Sequence, residues 1–167
     1  MTDSPLKFAT TSICVFGDGK GYAVGSIEGR CGIKNYDLSM ADKGKNSDFC
    51  FKCHREEQKQ QQRADVYSVN GITFNTTHNT FATYGSEGTI IIWNKDTKAK
   101  YKASKKFPAP FTAAHFTEDG KLLAYAIGYD WSKGHGGQRT PQGQPYMNQI
   151  FVRSPKISEE VMKPPRR

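Results

Sequence analysis

Long apolar runs are absent from this 167-residue sequence. No stretch approaches the roughly 20 apolar residues a membrane-spanning helix needs. The amino terminus, MTDSPLKFATTS, lacks the basic-then-apolar layout of a secretory leader. Together these absences predict an intracellular chain with no membrane span. Cysteine is sparse: Cys14, Cys31, Cys50 and Cys53 are the four, and without a secretory marker they read as reduced thiols rather than a disulfide framework. What is there instead is 16 glycines and 12% aromatic residues, a combination that favours short strands joined by tight turns, so helix should be scarce. The length suits one domain with its own core. Twenty-four Lys and Arg against 16 Asp and Glu leave a net charge of +8, which attracts polyanions at long range without specifying one.

The chain repeats itself. GYAVGSIEGRCGIKNYD at 21–37 and NTFATYGSEGTIIIWNKD at 79–96 share a short apolar strand, Gly-Ser-x-Glu-Gly, and a second strand, and GKLLAYAIGYDWS at 120–132 begins the same way. Each is preceded by another strand and a turn: SICVF at 12–16, GITF at 71–74 and FTAAHF at 111–116. A fourth strand follows in two units, FCFKC at 49–53 and AKYKAS at 99–104. Four antiparallel strands per repeat make a propeller blade, and the spacing from Gly85 to Gly128 falls in the roughly 40–45 residues of a WD repeat. The expectation is all-β: a partial WD-repeat β-propeller of about three blades at 12–53, 71–104 and 111–154, the last lacking its outer strand. Residues 1–11 form a lead-in, 38–48 a surface loop, 54–66 a mobile polar loop, and 155–167 a basic tail. Three blades do not close a ring, so open blade edges predict self-association.

CFKCH at 50–54 has the C-x-x-C-H form of a c-type haem attachment site. On a strand, Cys50 and Cys53 point to opposite sides of the sheet and cannot grip one ion or one haem. His78, His115 and His135 lie in different units, too scattered to complete a zinc site. Plain strand thiols are the better reading, with no metal or cofactor. Asp130, Ser132 and His135 share one loop without the setting of a catalytic triad. GHGG at 134–137 lacks the Lys-Ser/Thr of a phosphate loop. The expectation is a binding protein, not an enzyme.

The runs GSIEGRCGIKNYD, FKCHRE, YSVNGITFNTTHNTFATYGSEGTIIIWNKD and AYAIGYDWSKGH resemble the C-terminal part of the WD-repeat mRNA export factors of the nuclear pore. These are seven-bladed propellers that bind a GLEBS-type hairpin of a nucleoporin. The match covers about residues 12–153. The segment at 129–135, with Asp130, Trp131, Lys133 and His135, separates this family from its neighbour, the Bub-type spindle-checkpoint propellers, which bind kinetochore proteins. Glu28 and Glu87 stand where WD repeats place aspartate, which leaves the turn-closing hydrogen bonds open. Trp93 takes the usual Trp position, with Tyr36 and Phe151 near it in the other units.

The resemblance implies a non-catalytic adaptor of the nucleus and nuclear pore that shuttles to the cytoplasm. Its implied partners are a GLEBS-type nucleoporin peptide and single-stranded RNA or mRNA–protein particles. It places a partner or nucleic-acid groove at Arg30, Phe51, Trp93 and Lys95. The basic stretches KASKKF at 102–107 and KPPRR at 163–167, with Lys52 and Lys98, suit a rim that pairs phosphates while aromatics stack on bases. The alternatives are a spindle-checkpoint adaptor and a non-functional fragment of a larger propeller.

Overall fold

The computed structural model describes residues 3–36, 48–140 and 142–154. The basic tail and most of the loop expected at 38–48 lie outside the described residues. Thirteen strands form three blades and a hairpin. Blade 1 runs β1 (Thr10–Val15), β2 (Gly21–Ser26), β3 (Arg30–Asn35) and β4 (Phe49–Lys52) in sheet order. The hairpin is β5 (Arg55–Gln58) with β6 (Arg63–Val66). Blade 2 holds β7 (Val69–Asn75), β8 (Thr80–Gly85), β9 (Ile90–Asn94) and β10 (Ala99–Ala103). Blade 3 holds β11 (Phe111–Phe116), β12 (Leu123–Ile127) and β13 (Gln149–Arg153), three strands where the others have four. The first strands lie innermost, β7 touching β1 on one side and β11 on the other. This is a partial β-propeller.

Local sequence explains the turns. In GDGKG the Asp18 carboxylate accepts from the Lys20 amide at 3.0 Å, and in TEDGK Asp119 accepts from the Lys121 amide at 3.0 Å. The glycines between them, Gly19 and Gly120, sit at φ 66° and 68°, a left-handed conformation that costs glycine least. In the Gly-Ser-x-Glu-Gly turns the need is stricter. A Cβ on Gly29 would stand 2.8 Å from the Cys53 carbonyl oxygen, and one on Gly88 2.5 Å from that of Phe107. Those close approaches carry matching hydrogen bonds, from the Cys53 amide to Gly29 at 2.9 Å and from the Phe107 amide to Gly88 at 2.8 Å. Each turn thus ties down the chain as it leaves the blade's outer side.

Strand alternation then sorts the side chains into two cores. One face of blade 2, with Ile72, Phe81 and Trp93, packs on Phe16, Ala23 and Ile33 of blade 1. Its other face, with Ala82, Ile90 and Ile92, packs on Phe111, Phe116 and Leu123 of blade 3. Every residue of β8 is buried, as a central strand covered on both faces must be.

Residues 54–66, expected as a mobile polar loop, instead form the β5–β6 hairpin. Polar composition hid it, because what holds it is a ladder with anchors rather than an apolar face. Gln58 donates to Asp65 at 3.1 Å, the Arg55 guanidinium donates to the Glu28 carbonyl at 2.7 Å, and the Tyr67 hydroxyl donates to Glu56 at 3.2 Å.

Candidate partner-binding site

The CFKCH segment divides between surface and core. Cys50 is exposed on β4, its thiol 3.6 Å from the Pro5 carbonyl, whereas Cys53 is buried in the core between blades 1 and 2. Burial pushes the Cys53 thiol up to about 12, and burial followed by the neighbouring thiols pushes Cys31 well above the ordinary value. Thiols so disfavoured as thiolates make poor metal ligands and nucleophiles. The described residues hold no group of three or more His, Cys, Asp or Glu placed to grip a metal ion.

The last residue of that segment, His54, has a role that sequence reasoning missed. It is buried at φ 47°, and its two ring nitrogens meet Glu87 Oε1 at 2.5 Å and Thr83 Oγ1 at 2.8 Å. The Trp93 indole donates to the same Thr83 hydroxyl at 2.9 Å, and Thr89 donates to Glu87. Glu87 therefore serves where WD repeats use aspartate, its longer side chain reaching back to the histidine. The signal was Thr83 and Trp93 on facing strands behind the Glu-Gly turn. Blade 1 has Val24 and Lys34 at the equivalent register and blade 3 has Tyr125 and Arg153, so neither repeats the network. Tyr36 and Phe151, expected near the Trp position, each lie two residues from it.

This network sits behind the seam where blades 1 and 2 meet at the rim. Phe51 and Trp93, expected to line a groove, have ring centroids 4.5 Å apart, and both are half-buried. Arg30 lies across from Lys52 in the β3–β4 ladder and pairs with Glu28 at 3.2 Å. The Lys98 ammonium lies 4.6 Å from the Phe49 ring centroid. Cations thus flank a short row of aromatic rings. Lys95 is engaged elsewhere: only 13% exposed, it holds Asp18 at 2.7 Å and covers the Phe16 ring at 4.7 Å. Desolvation works against the Asp18 carboxylate, but the Lys95 ammonium prevails and holds it below the usual range.

The segment at 129–135 caps the junction of blades 2 and 3. Asp130 accepts from the Ser86 hydroxyl at 2.5 Å, the Asn70 amide at 3.1 Å and the Ser132 backbone at 3.1 Å. Partial burial would raise its pKa, yet the hydrogen bonds, that from Ser86 foremost, hold it below the usual carboxylate value. The Tyr129 hydroxyl donates to Gly134 at 2.6 Å and accepts from the Lys133 amide at 3.1 Å, and its ring stacks on Tyr146. That frame presents Trp131, at φ 61° and 60% exposed, to solvent. Lys133 and His135 are exposed beside it, and His135 meets the Gln138 amide at 3.2 Å. Asp130 is committed to a blade clamp and His135 to Gln138, so no Asp–His–Ser relay forms. Nearby, Tyr67, Lys106, Pro108, Pro110 and Tyr146 line an open cleft of about 680 Å³.

No protein-family model matches the chain. Curated proteins do. It is 40% identical to "Protein RAE1" of Arabidopsis thaliana over 96% of this chain and 42% of that protein. It is 44% identical to "mRNA export factor GLE2" of Chaetomium thermophilum over 80% of this chain and 36% of that protein. It is 40% identical to "WD40 repeat protein poxJ" of Penicillium oxalicum over 78% of this chain and 37% of that protein. The chain spans about two-fifths of the length of these relatives. Three stacked four-strand-type blades, a His–Thr–Trp network closed by a turn carboxylate, and these identities agree: over the blades it contains, the chain belongs to the family of WD-repeat mRNA export factors.

Proposed function

We propose that this chain works as a non-catalytic adaptor in mRNA export, binding a GLEBS-type nucleoporin hairpin together with single-stranded RNA or mRNA–protein particles. Its place would be the nucleus and the nuclear pore, with shuttling to the cytoplasm. The observation that carries the reading is the rim seam, where the half-buried Phe51–Trp93 pair lies between Arg30, Lys52 and Lys98. Aromatic faces flanked by cations accept bases by stacking while phosphates meet the cations. The names of the relatives support the same reading.

Fluorescence anisotropy with a labelled oligouridine tests it. Binding should weaken steeply with salt, and Lys52→Glu with Lys98→Glu should weaken it about tenfold at low salt. An RNA affinity unmoved by both substitutions would remove the seam from the proposal. A GLEBS-type nucleoporin peptide should be retained on the immobilised chain. Retention of a kinetochore GLEBS peptide alone would transfer the chain to the checkpoint class.

A further inference from the structure

The two outer faces of the three-blade stack are unfinished halves of blade interfaces, and they are of opposite kind. On blade 1 the face turned away from blade 2 carries Ile13 and Val15, which are 63% and 54% exposed. Strand register puts them where Ile72 and Phe74 stand on blade 2: Ile13 pairs with Val24 as Ile72 pairs with Thr83. Those blade 2 residues pack against blade 1. On blade 3 the face turned away from blade 2 carries Ile150 and Val152, 81% and 66% exposed, across from Ala126 and Ala124. They occupy the register of Ile90 and Ile92, which are buried against blade 3. The lead-in covers part of the blade 1 face, with Leu6 buried and Pro5 against Gly32, and leaves Ile13 and Val15 open.

A polar ratchet runs in the same direction. Each first strand has a bulge at its second residue: Thr11, Asn70 and Thr112. The Thr11 hydroxyl donates to the carbonyl of Val69, the first residue of β7. The Asn70 amide donates to the carbonyl of Phe111, the first residue of β11, at 2.9 Å. Thr112 is the third member and is exposed. The residue in the Val69 and Phe111 position that β11 and its own blade do not supply is Thr10, at the start of β1.

We propose that a second copy of this chain covers both faces, the Ile150–Val152 face of each copy packing on the Ile13–Val15 face of the other about a two-fold axis. Each Thr112 then reaches Thr10 of the other copy, as Thr11 reaches Val69. A head-to-tail contact of this kind closes when its rotation completes a ring and otherwise grows. Two copies give six blades, within the four to eight of closed propellers, and leave no open blade face. Burying apolar side chains that the single chain leaves in water drives the pairing. This inference stands apart from the RNA seam, which lies on the outer rim.

Sedimentation velocity of the full chain over a wide concentration range tests it, with a discrete species of twice the chain mass expected and nothing larger. Ile13→Glu and Val152→Glu, each at an exposed position, should separately give monomers, because either change spoils both contacts of the ring. Mixing the two variants should restore a pair, because one of the two contacts is then free of either change. Unfolded variants cannot produce that restoration. A wild-type monomer throughout, which would leave the faces to blades of another polypeptide, overturns the proposal. So do open-ended growth, a pair indifferent to either substitution, and a mixture that stays monomeric.

Discussion

The two interfaces inside the stack are made by the two faces of one sheet, blade 2, yet they are held in different ways. The interface with blade 1 contains a buried polar network: His54, Thr83, Trp93 and Glu87 among Phe16, Phe51 and Phe81. The interface with blade 3 is aromatic and less completely filled. Phe107, Phe111, Tyr125 and Phe151 meet edge-on or stacked, beside a cavity of about 70 Å³ between Ile90, Ile92 and Leu123. Its polar support lies at the margin, where Asp130 clasps Ser86 and Asn70. Buried hydrogen bonds fix geometry because leaving one partner unsatisfied is costly. The blade 1–2 contact is therefore the rigid backing of the rim seam, and the blade 2–3 contact depends on packing with a clamp outside.

The sharpest way to break this contrast is Phe81→Ala, which empties a fully buried ring position in the blade 1–2 core. A loss of about 4 kcal/mol is expected in urea denaturation. His54→Ala should come next, at about 3 kcal/mol, because it strands Thr83 and Glu87 in a dry site. Trp93 fluorescence should report both changes, since its indole shares Thr83 with the histidine. Asp130→Asn is expected to cost about 1–2 kcal/mol at neutral pH.

The pH dependence of that last change has a definite sign. The folded state holds Asp130 below its ordinary value, so its stabilisation is complete above about pH 4 and fades as pH falls through the lower folded value. Denaturation curves taken at neutral pH and in acid should therefore converge between wild type and Asp130→Asn. Smallest of all is Trp131→Ala: the exposed ring should shift stability by less than about 0.5 kcal/mol. A large loss there would mean that the ring braces the blade 2–3 contact rather than facing a partner.

Much of the fold could be read from the sequence, because strands and turns are local. GDGKG and TEDGK contain the Asp acceptor and the left-handed glycine that their turns use. Gly-Ser-x-Glu-Gly contains the glycine that the passing chain demands. The β5–β6 hairpin was not legible, because its residues are polar and its anchors, Glu28 and Tyr67, lie outside it. Of the candidate site, Phe51 and Trp93 were found and do meet, 42 residues apart in sequence. Lys95 was expected beside them, but its nearest anion, Asp18, belongs to a distant turn. Asp130 read as a loop acid, and only the approach of Ser86 and Asn70 makes it a clamp.

The sequence by itself determined the blades: period-two alternation chose which residues face inward, and turn chemistry chose where each strand ends. Only the tertiary structure decided what the polar residues do. A hydrogen bond needs two groups within about 3 Å, and for His54, Thr83 and Glu87 those groups come from different strands and turns, brought together when blade 2 closes on blade 1. Stacking likewise decided which apolar faces are core. Ile13 and Ile72 hold the same position in the repeat, but one has a neighbouring blade over it and the other has water.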